Sequence, residues 1–299
     1  MIKTVRYRDP STDQPQLGVI EDNRVYNLTK QVPSWTEPFA VWSALKALGI
    51  PVEEAFARLK ATAEVVEFDA LEQRDLLLPP VAAKEVWAAG VTYERSREAR
   101  NAETTLAESV YDKVYDAKRP EIFFKATEDR LVAPGREVGL RSDSNWMVPE
   151  PELALVISAK GDLVGWTLGN DLSSRDIEGD NPLYLPQAKV FSRSCSIGPV
   201  LLWNTGVERP EEWTLSLTIS RPEEPGFSGE IPVRQLRRSP DELISYLLRD
   251  NPVPDGTVLL TGTGIVPPDE FTLHVGDVID IRIDAIGTLR NVVAKPLQA

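Results

Sequence analysis

The sequence predicts an α+β protein with a small N-terminal α/β domain, residues 1–78, and a larger, mostly β domain, residues 79–299. Three observations support this division. Strand-like and helix-like patterns both occur before residue 78, the run Leu76-Leu77-Leu78-Pro79-Pro80 interrupts them, and most of the chain after Lys189 has the pattern of β-strands. The two segments are therefore expected to fold around different arrangements of strands and helices.

The first 78 residues contain three alternating segments followed by two helical patterns. The strands are expected at residues 3–7, 17–21 and 23–27, and the helices at residues 40–48 and 52–60. Gly49 and Pro51 end the first helix, because both residues are typical of helix termini. This segment contains no chemical motif, so we expect it to be structural or to form an oligomer contact.

The larger domain begins with a strand, a long helix and a second strand, and it ends mostly in strands. The strands are expected at residues 85–91, 122–125, 153–157, 200–203, 213–220, 257–260 and 278–286, and the helices at residues 96–118 and 241–248. The segment Thr261-Gly262-Thr263-Gly264 follows a strand, but it lacks the third glycine and the helix of a dinucleotide-binding fingerprint.

Composition and charge exclude several classes of protein. The net charge is −13, from 33 basic and 46 acidic residues, and no basic stripe is present, so nucleic acid is not an expected partner. No apolar run approaches the roughly 18–20 residues needed to cross a bilayer, so no membrane partner is expected. Cys195 is the single cysteine, which excludes an internal disulfide and a cysteine-rich zinc site. We expect a cytoplasmic protein.

Three acidic residues surround one predicted hairpin. Glu150 and Glu152 lie at the start of an apolar strand and point to the same face, since side chains alternate along a strand. If Lys160-Gly161 forms a two-residue turn, Asp171 on the returning strand lies opposite Glu150. Like charges in such a pair are destabilising, and burying them costs far more unless a cation lies between them. The pattern therefore predicts a divalent-metal site.

An all-oxygen set of ligands suits Mg²⁺, and also Mn²⁺ or Ca²⁺, better than zinc. Arg175 and Lys189 are the nearest cations in the sequence, and Lys189 is a candidate catalytic cation. Each also has a plain alternative, as a counter-ion or structural partner of the acidic residues. The acidic residues themselves could simply belong to a solvated strand, because charged patterns usually do.

His274 is the single histidine, and it precedes Val275-Gly276-Asp277, a predicted turn. A Ser-His-Asp triad or a histidine proton relay would depend entirely on this residue. A turn position makes both mechanisms a poor fit to the sequence.

Several segments occur in an order that resembles the fumarylacetoacetate hydrolase superfamily. They are Arg119-Pro120-Glu121-Ile122-Phe123-Phe124-Lys125, Pro149-Glu150-Pro151-Glu152-Leu153-Ala154, Gly169-Asn170-Asp171, Ser173-Ser174-Arg175-Asp176, Thr261-Gly262-Thr263 and Gly276-Asp277. The resemblance covers about residues 80–299. It implies a mixed β-roll or β-sandwich of the fumarylacetoacetase C-terminal type, which binds Mg²⁺ or a similar ion through Glu150, Glu152 and Asp171. It also implies a homodimer or homotetramer.

One departure from the superfamily pattern bears on the reaction. Hydrolase members have a His-Glu pair just after the segment matching residues 90–93, whereas this chain has Glu94-Arg95-Ser96-Arg97-Glu98 and no histidine there. Residues 176–189 instead resemble the 2-keto-3-deoxy-D-arabinonate dehydratase branch. That resemblance implies catalytic roles for Glu121 and Lys189.

The function expected from this resemblance is Mg²⁺-dependent dehydration of a 2-keto-3-deoxy pentonate to 2-oxoglutarate semialdehyde in pentose degradation. Lys189 or Glu121 would remove a C3 proton, and the other group, or a metal-bound water, would assist departure of the C4 hydroxyl. Arg175 and Thr263 are candidates to bind the 2-oxo sugar acid. The alternatives are a hydrolase of acylpyruvates of the fumarylpyruvate type, an oxaloacetate decarboxylase, or an acidic metal-binding structural protein.

Overall fold

The computed structural model describes residues 1–94, 115–222 and 225–296. The strands are β1 Lys3–Arg8, β2 Pro15–Glu21, β3 Arg24–Asn27, β4 Val65–Glu67, β5 Glu85–Gly90, β6 Glu121–Thr127, β7 Leu131–Val132, β8 Glu137–Gly139, β9 Met147–Val148, β10 Pro151–Ile157, β11 Leu163–Asp171, β12 Ser173–Ser174, β13 Cys195–Trp203, β14 Thr214–Ser220, β15 Phe227–Pro232, β16 Thr257–Leu260, β17 Val278–Ile283 and β18 Gly287–Ala294. The helices are α1 Pro38–Leu48, α2 Val52–Lys60, α3 Phe68–Gln73, α4 Arg175–Asp180, α5 Leu185–Lys189 and α6 Pro240–Leu247. This content of strands and helices, in mixed sheets, confirms the predicted α+β class.

Within the described residues, two larger sheets carry the fold. The first has the order β4-β3-β2-β1-β13-β11-β10-β16-β5-β6, with β7 also paired to β13. The second has the order β15-β14-β17-β18-β8, and β9 pairs with β12 in a short ribbon. Most neighbours are antiparallel, but β16 and β5 run parallel. The first sheet is therefore mixed, as expected.

Apolar residues cover both faces of the central strand β10. Leu153 and Leu155 belong to a core shared with Leu217 and Ile281 of the second sheet. Ala154 and Val156, which point to the opposite face of the strand, belong to a separate core with residues of α1 and α2. A strand buried on both faces has a nearly continuous apolar sequence, and a shift of one residue would exchange the two faces. The register of β10 is therefore strongly specified.

The predicted hairpin forms with the expected pairing but with a different turn. Pro151 pairs with Asn170, and the Asp171 N–H donates to the Glu150 carbonyl at 3.0 Å, so Glu150 and Asp171 lie opposite each other as predicted. The turn is wider than two residues, because the Ser158 N–H donates to the Asp162 carbonyl. A register shift at Ile157 compensates for the wider turn.

Other predicted elements differ from the structure in extent. The expected last strand, residues 278–286, ends at Ile283, and a turn leads into the additional strand β18. The turn was missed because apolar residues continue through Ala285 and Ile286 into β18. The expected helix at residues 96–118 lies almost entirely outside the described residues.

The N-terminal strands β1 to β4 extend the first sheet, since β1 pairs with β13. Residues of α1 and α2 also pack in the same core as β10 and β13. The division into two domains after residue 78 stays a prediction. Among the described residues, no helix combines the length and apolar character needed to cross a membrane.

Candidate metal and active site

One end of the first sheet collects the candidate residues. Strand β10 begins there after Glu150, and β11 ends there at Asp171. The parallel strands β16 and β5 also end there, and β6 begins there at Glu121, which pairs with Gly90. Antiparallel and parallel pairing together thus bring five chain segments to one edge. Residues as distant in the sequence as Thr92 and Thr261, 169 positions apart, are in contact at this edge.

The three predicted ligands form one buried cluster. Glu150, Glu152 and Asp171 each offer one carboxylate oxygen, and these oxygens lie within 4.8 Å of one another. Burial raises the pKa of Glu152 well above its usual range, and the charges of Asp171 and Glu150 act in the same direction. A cation among the three carboxylates would relieve both effects.

Two cationic side chains contact Glu150, one at each oxygen of its carboxylate. The Arg175 Nη2 atom lies 2.8 Å from Glu150 Oε1, and the Lys189 Nζ atom lies 2.8 Å from Glu150 Oε2. All three side chains are buried. Arg175 begins α4, and its backbone N–H donates to the Trp146 carbonyl at 2.8 Å. The predicted substrate-binding Arg175 therefore lies at the site and also orients a predicted metal ligand.

Lys189, the last residue of α5, points its ammonium group into a ring of oxygens. Besides Glu150, it donates to Ser173 Oγ at 2.6 Å, and it lies 3.5 Å from Asp171 Oδ2 and 4.0 Å from Glu178 Oε2. Oxygens that accept from an ammonium group favour its charged form. The Lys189 ammonium group is therefore surrounded by oxygen acceptors, three of them carboxylate oxygens.

Thr263 lies in the loop after β16 and lines the same small cavity as Glu150, Arg175 and Lys189. In this loop the Gly262 N–H donates to Glu152 Oε2. Gly262 has φ +95°, and an added Cβ would lie 2.0 Å from Thr92 Oγ1. A glycine is therefore required where the loop approaches the Glu152 carboxylate.

The position of the Glu121 carboxyl group depends on Gly90, the residue that pairs with it on β5 and has no side chain. A Cβ added to Gly90 would lie 2.1 Å from Glu121 Oε2 and 2.5 Å from its Cδ. The Glu121 carboxyl group therefore occupies the space over Gly90, and Gly90 itself lines the cavity.

We expect Gly90→Ala to lower kcat at least about tenfold with little loss of stability, because only the flexible end of Glu121 has to move. Thermal unfolding and steady-state kinetics measure the two effects. In a Glu121→Gln background the same substitution should have little further effect on kcat, since the displaced group is already inactive. An equal loss in both backgrounds would contradict this explanation.

Asp176 connects α4 to the loop before β9. Burial acts to raise the pKa of Asp176, but hydrogen bonds from the Asn145 N–H, Ser144 and Ser174 outweigh it, so the pKa is lowered. These bonds fix the start of the helix that carries Arg175.

A carboxyl group with a lowered folded pKa stabilises the protein fully above its unfolded pKa, about 4, and this contribution disappears as the pH falls through the folded value. We therefore expect Asp176→Asn to lower Tm at pH 6–7. The difference from the wild type should shrink as the pH falls below about 4. Thermal unfolding measured across this range tests it, and a difference independent of pH would contradict it.

The structure adds residues that the sequence did not single out. Lys125, Ser173 and Glu178 are buried at this site and contact Asp171 or Lys189. A signal for Lys125 was present, since it ends the segment 119–125 that carries part of the resemblance. Its contacts could not be deduced from that segment, because they are made with residues 46 to 64 positions away.

Among the described residues of the site, carboxylates outnumber cationic side chains. Its buried carboxylates are Glu150, Glu152, Asp171 and Glu178, and its buried cations are Lys125, Arg175 and Lys189. The half-buried Glu121 adds a further carboxylate. Three clustered carboxylates, of which Glu150 lines the small cavity, supply oxygen donors of the kind that Mg²⁺ takes together with substrate oxygens and water. The residues therefore fit a hard dication.

The fold and the site together define a metal-dependent enzyme with a carboxylate triad. Residues 85–294 match the family described as fumarylacetoacetate (FAA) hydrolase C-terminal, and the chain belongs to this family.

Two curated relatives are dehydratases. The chain is 50% identical over 240 residues to a protein of Haloferax volcanii named “Probable 2-keto-3-deoxyxylonate dehydratase”, covering 80% of this chain and 82% of the relative. It is 45% identical over 219 residues to the 2-dehydro-3-deoxy-D-arabinonate dehydratase of Saccharolobus solfataricus, covering 72% and 74%. A solved structure of 2-keto-3-deoxy-D-arabinonate dehydratase complexed with magnesium and 2,5-dioxopentanoate is 35% identical, with a TM-score of 0.79, covering 99% of this chain and 100% of that one.

Proposed function

We propose that this chain is a lyase that dehydrates a 2-keto-3-deoxy pentonate to 2,5-dioxopentanoate, also called 2-oxoglutarate semialdehyde, with Mg²⁺ as cofactor and in pentose degradation. The observation that carries the proposal is the 2.8 Å contact between the buried Lys189 ammonium and Glu150 of the carboxylate triad. Lys189 in this position would be able to give up a proton beside the proposed metal ligands. The two dehydratases at 45% and 50% identity support this reaction.

The chain's histidine does not fit the hydrolase alternative. The His274 N–H donates to Asp277 Oδ2 at 2.8 Å and its carbonyl accepts from the Asp277 N–H, in the turn before β17. Among the described residues, the cavity lining includes no histidine.

Glu150, Glu152 and Asp171 would hold the metal ion, whose chemistry when bound is Lewis-acid polarisation of the 2-oxo acid. The guanidinium group of Arg175 lies at the cavity and would attract the substrate carboxylate. Thr263, in the loop after β16, would also contact the substrate. The buried walls would exclude water and thereby strengthen these electrostatic interactions.

Glu121 would remove the C3 proton and Lys189 would protonate the departing C4 hydroxyl. The assignment follows from the surroundings of Lys189, whose ammonium group faces Glu150, Asp171 and Ser173 oxygens and therefore begins in its protonated form. Glu121, whose carboxylate lies over the cavity-lining Gly90 and is not a proposed metal ligand, is the remaining candidate base.

The reaction balances with one water lost. A proton leaves C3, the hydroxyl leaves C4 with the Lys189 proton, and a C3–C4 double bond forms. Tautomerisation then moves a hydrogen from C5 to C3, which gives a C4–C5 enol, and the enol O–H proton moves to C4, which leaves an aldehyde at C5. The Glu121 proton returns to Lys189 or to solvent before the next turnover.

The test uses chelator-treated protein to which Mg²⁺ is restored. We expect 2-keto-3-deoxy pentonates to yield the C5 aldehyde, detected by NMR, only when Mg²⁺ is present. Both C4 epimers should be supplied. An acylpyruvate of the fumarylpyruvate type and oxaloacetate should be assayed in parallel. Pyruvate from the acylpyruvate would indicate hydrolysis, CO₂ from oxaloacetate would indicate decarboxylation, and absence of aldehyde from both pentonate epimers would reject the dehydratase function.

A homodimer or homotetramer in the cytoplasm completes the proposal. Light scattering coupled to size-exclusion chromatography tests the assembly, and a monomer at micromolar concentration would reject it. Fractionation of cells tests the location.

A further inference from the structure

Lys125 is a buried cation with three oxygen contacts at this site. Its Nζ donates to the Leu172 carbonyl at 2.8 Å and to the Lys189 carbonyl at 2.6 Å, and it forms an ion pair with Asp171 Oδ1 at 2.5 Å. Lys125 and Asp171 are fully buried. An ammonium group has three N–H donors, so these three contacts use its capacity.

A register shift in β6 directs Lys125 toward these oxygens. Val86 pairs with Ala126 while the next residue, Trp87, pairs with Phe124, so Lys125 is the extra residue on β6. Bulges of this kind often re-aim a side chain beside an active site. The two carbonyl contacts then fix the ammonium group, so that it cannot follow a rotation of the Asp171 side chain.

The consequence concerns the two oxygens of Asp171. With Oδ1 paired to Lys125 at 2.5 Å, Oδ2, whose nearest cation is Lys189 at 3.5 Å, is the oxygen left to bind a metal ion. Glu152 is restrained in a similar way, since its Oε2 accepts from the Gly262 N–H. Single-oxygen carboxylate ligands suit the small octahedral Mg²⁺, whereas Ca²⁺ takes more ligands and commonly binds carboxylates through both oxygens.

We propose that Lys125 is a positioning residue that holds Asp171 as a one-oxygen ligand and thereby makes the site select Mg²⁺ over Ca²⁺. This inference rests on the metal site of the proposed function. It does not depend on which substrate is dehydrated. The metal-binding measurements below can therefore contradict this inference even if the protein is shown to be a dehydratase.

The test compares Mg²⁺ and Ca²⁺ affinities by calorimetry in the whole protein, without substrate. In Lys125→Met and Lys125→Gln the ratio of Mg²⁺ to Ca²⁺ affinity should fall at least tenfold, because Asp171 can then bind through both oxygens. Phe124→Leu, next to Lys125 on β6, is the matched control. It removes the edge contact of Phe124 with Trp87 on β5, whose ring centroids lie 5.4 Å apart, and should leave the ratio unchanged. If Lys125 only neutralised charge or supported the strand, both affinities would change by the same factor, and the proposal would be overturned.

A second measurement needs no substitution. A crystal structure of the wild-type protein with Mn²⁺, which is also octahedral, should show Asp171 bound through one oxygen with Lys125 against the other. A two-oxygen Asp171 ligand in that structure would reject the proposal even if both variants failed to fold.

Discussion

Lys189→Met is expected to lower kcat by about 1,000-fold or more while Mg²⁺ still binds. General acid–base catalysis contributes about 100- to 10,000-fold, and here the lost group is the proposed donor to the C4 hydroxyl. The lysine is not a proposed metal ligand, and its removal takes a positive charge away from Glu150 and Asp171. Calorimetric Mg²⁺ affinity should therefore be equal to or above that of the wild type.

Two further variants make this result interpretable. Lys160→Met changes an exposed lysine at the turn of the same hairpin and should leave kcat unchanged. Lys189→Arg keeps a positive charge beside Glu150 and should retain more stability than the Met variant, yet it should lose at least about 100-fold in kcat, because guanidinium rarely gives up a proton. A Lys189→Met protein that binds Mg²⁺ and keeps more than a tenth of wild-type kcat would exclude Lys189 as the catalytic donor.

Glu152→Gln is expected to weaken Mg²⁺ binding at least about 100-fold and, at the same time, to stabilise the metal-free protein. The amide oxygen can still accept from the Gly262 N–H, so the main change is the loss of a buried charge. Burial and the neighbouring carboxylates disfavour that charge, as the raised pKa of Glu152 shows. Removing it should therefore increase the free energy of unfolding of the metal-free protein at neutral pH.

Glu150→Gln is the matched comparison within the same triad. It should also weaken Mg²⁺ binding, but it leaves Arg175 and Lys189 without their shared carboxylate. Breaking a buried ion pair by removing one partner costs about 3–5 kcal/mol. Opposite shifts in the Tm of the two metal-free variants would support the assigned contacts. Equal destabilisation in both would contradict the description of Glu152 as the less well compensated charge.

In the β10–β11 hairpin, the local sequence pattern predicted the strand pairing but not the turn. Alternation in the sequence placed Glu150 and Glu152 on one face, and the pairing of Glu150 with Asp171 was predicted correctly. The turn itself was not, because its width depends on the Ser158–Asp162 contacts and on a register shift that leave no pattern in the apolar residues. The pairing held because burial on both faces of β10 allows one register.

The sequence by itself determined the α+β class, most strands and the acidic triad, because strand periodicity, helix boundaries and charge are properties of short segments. Its resemblance to a superfamily also selected Glu121 and Lys189. Only the tertiary structure decided how these groups are oriented: Lys125 against Asp171, Gly90 beneath Glu121, and Gly262 against Glu152. These contacts depend on the order of strands in the sheet, including the parallel pair β5 and β16, and that order is fixed by packing between distant segments rather than by any local pattern.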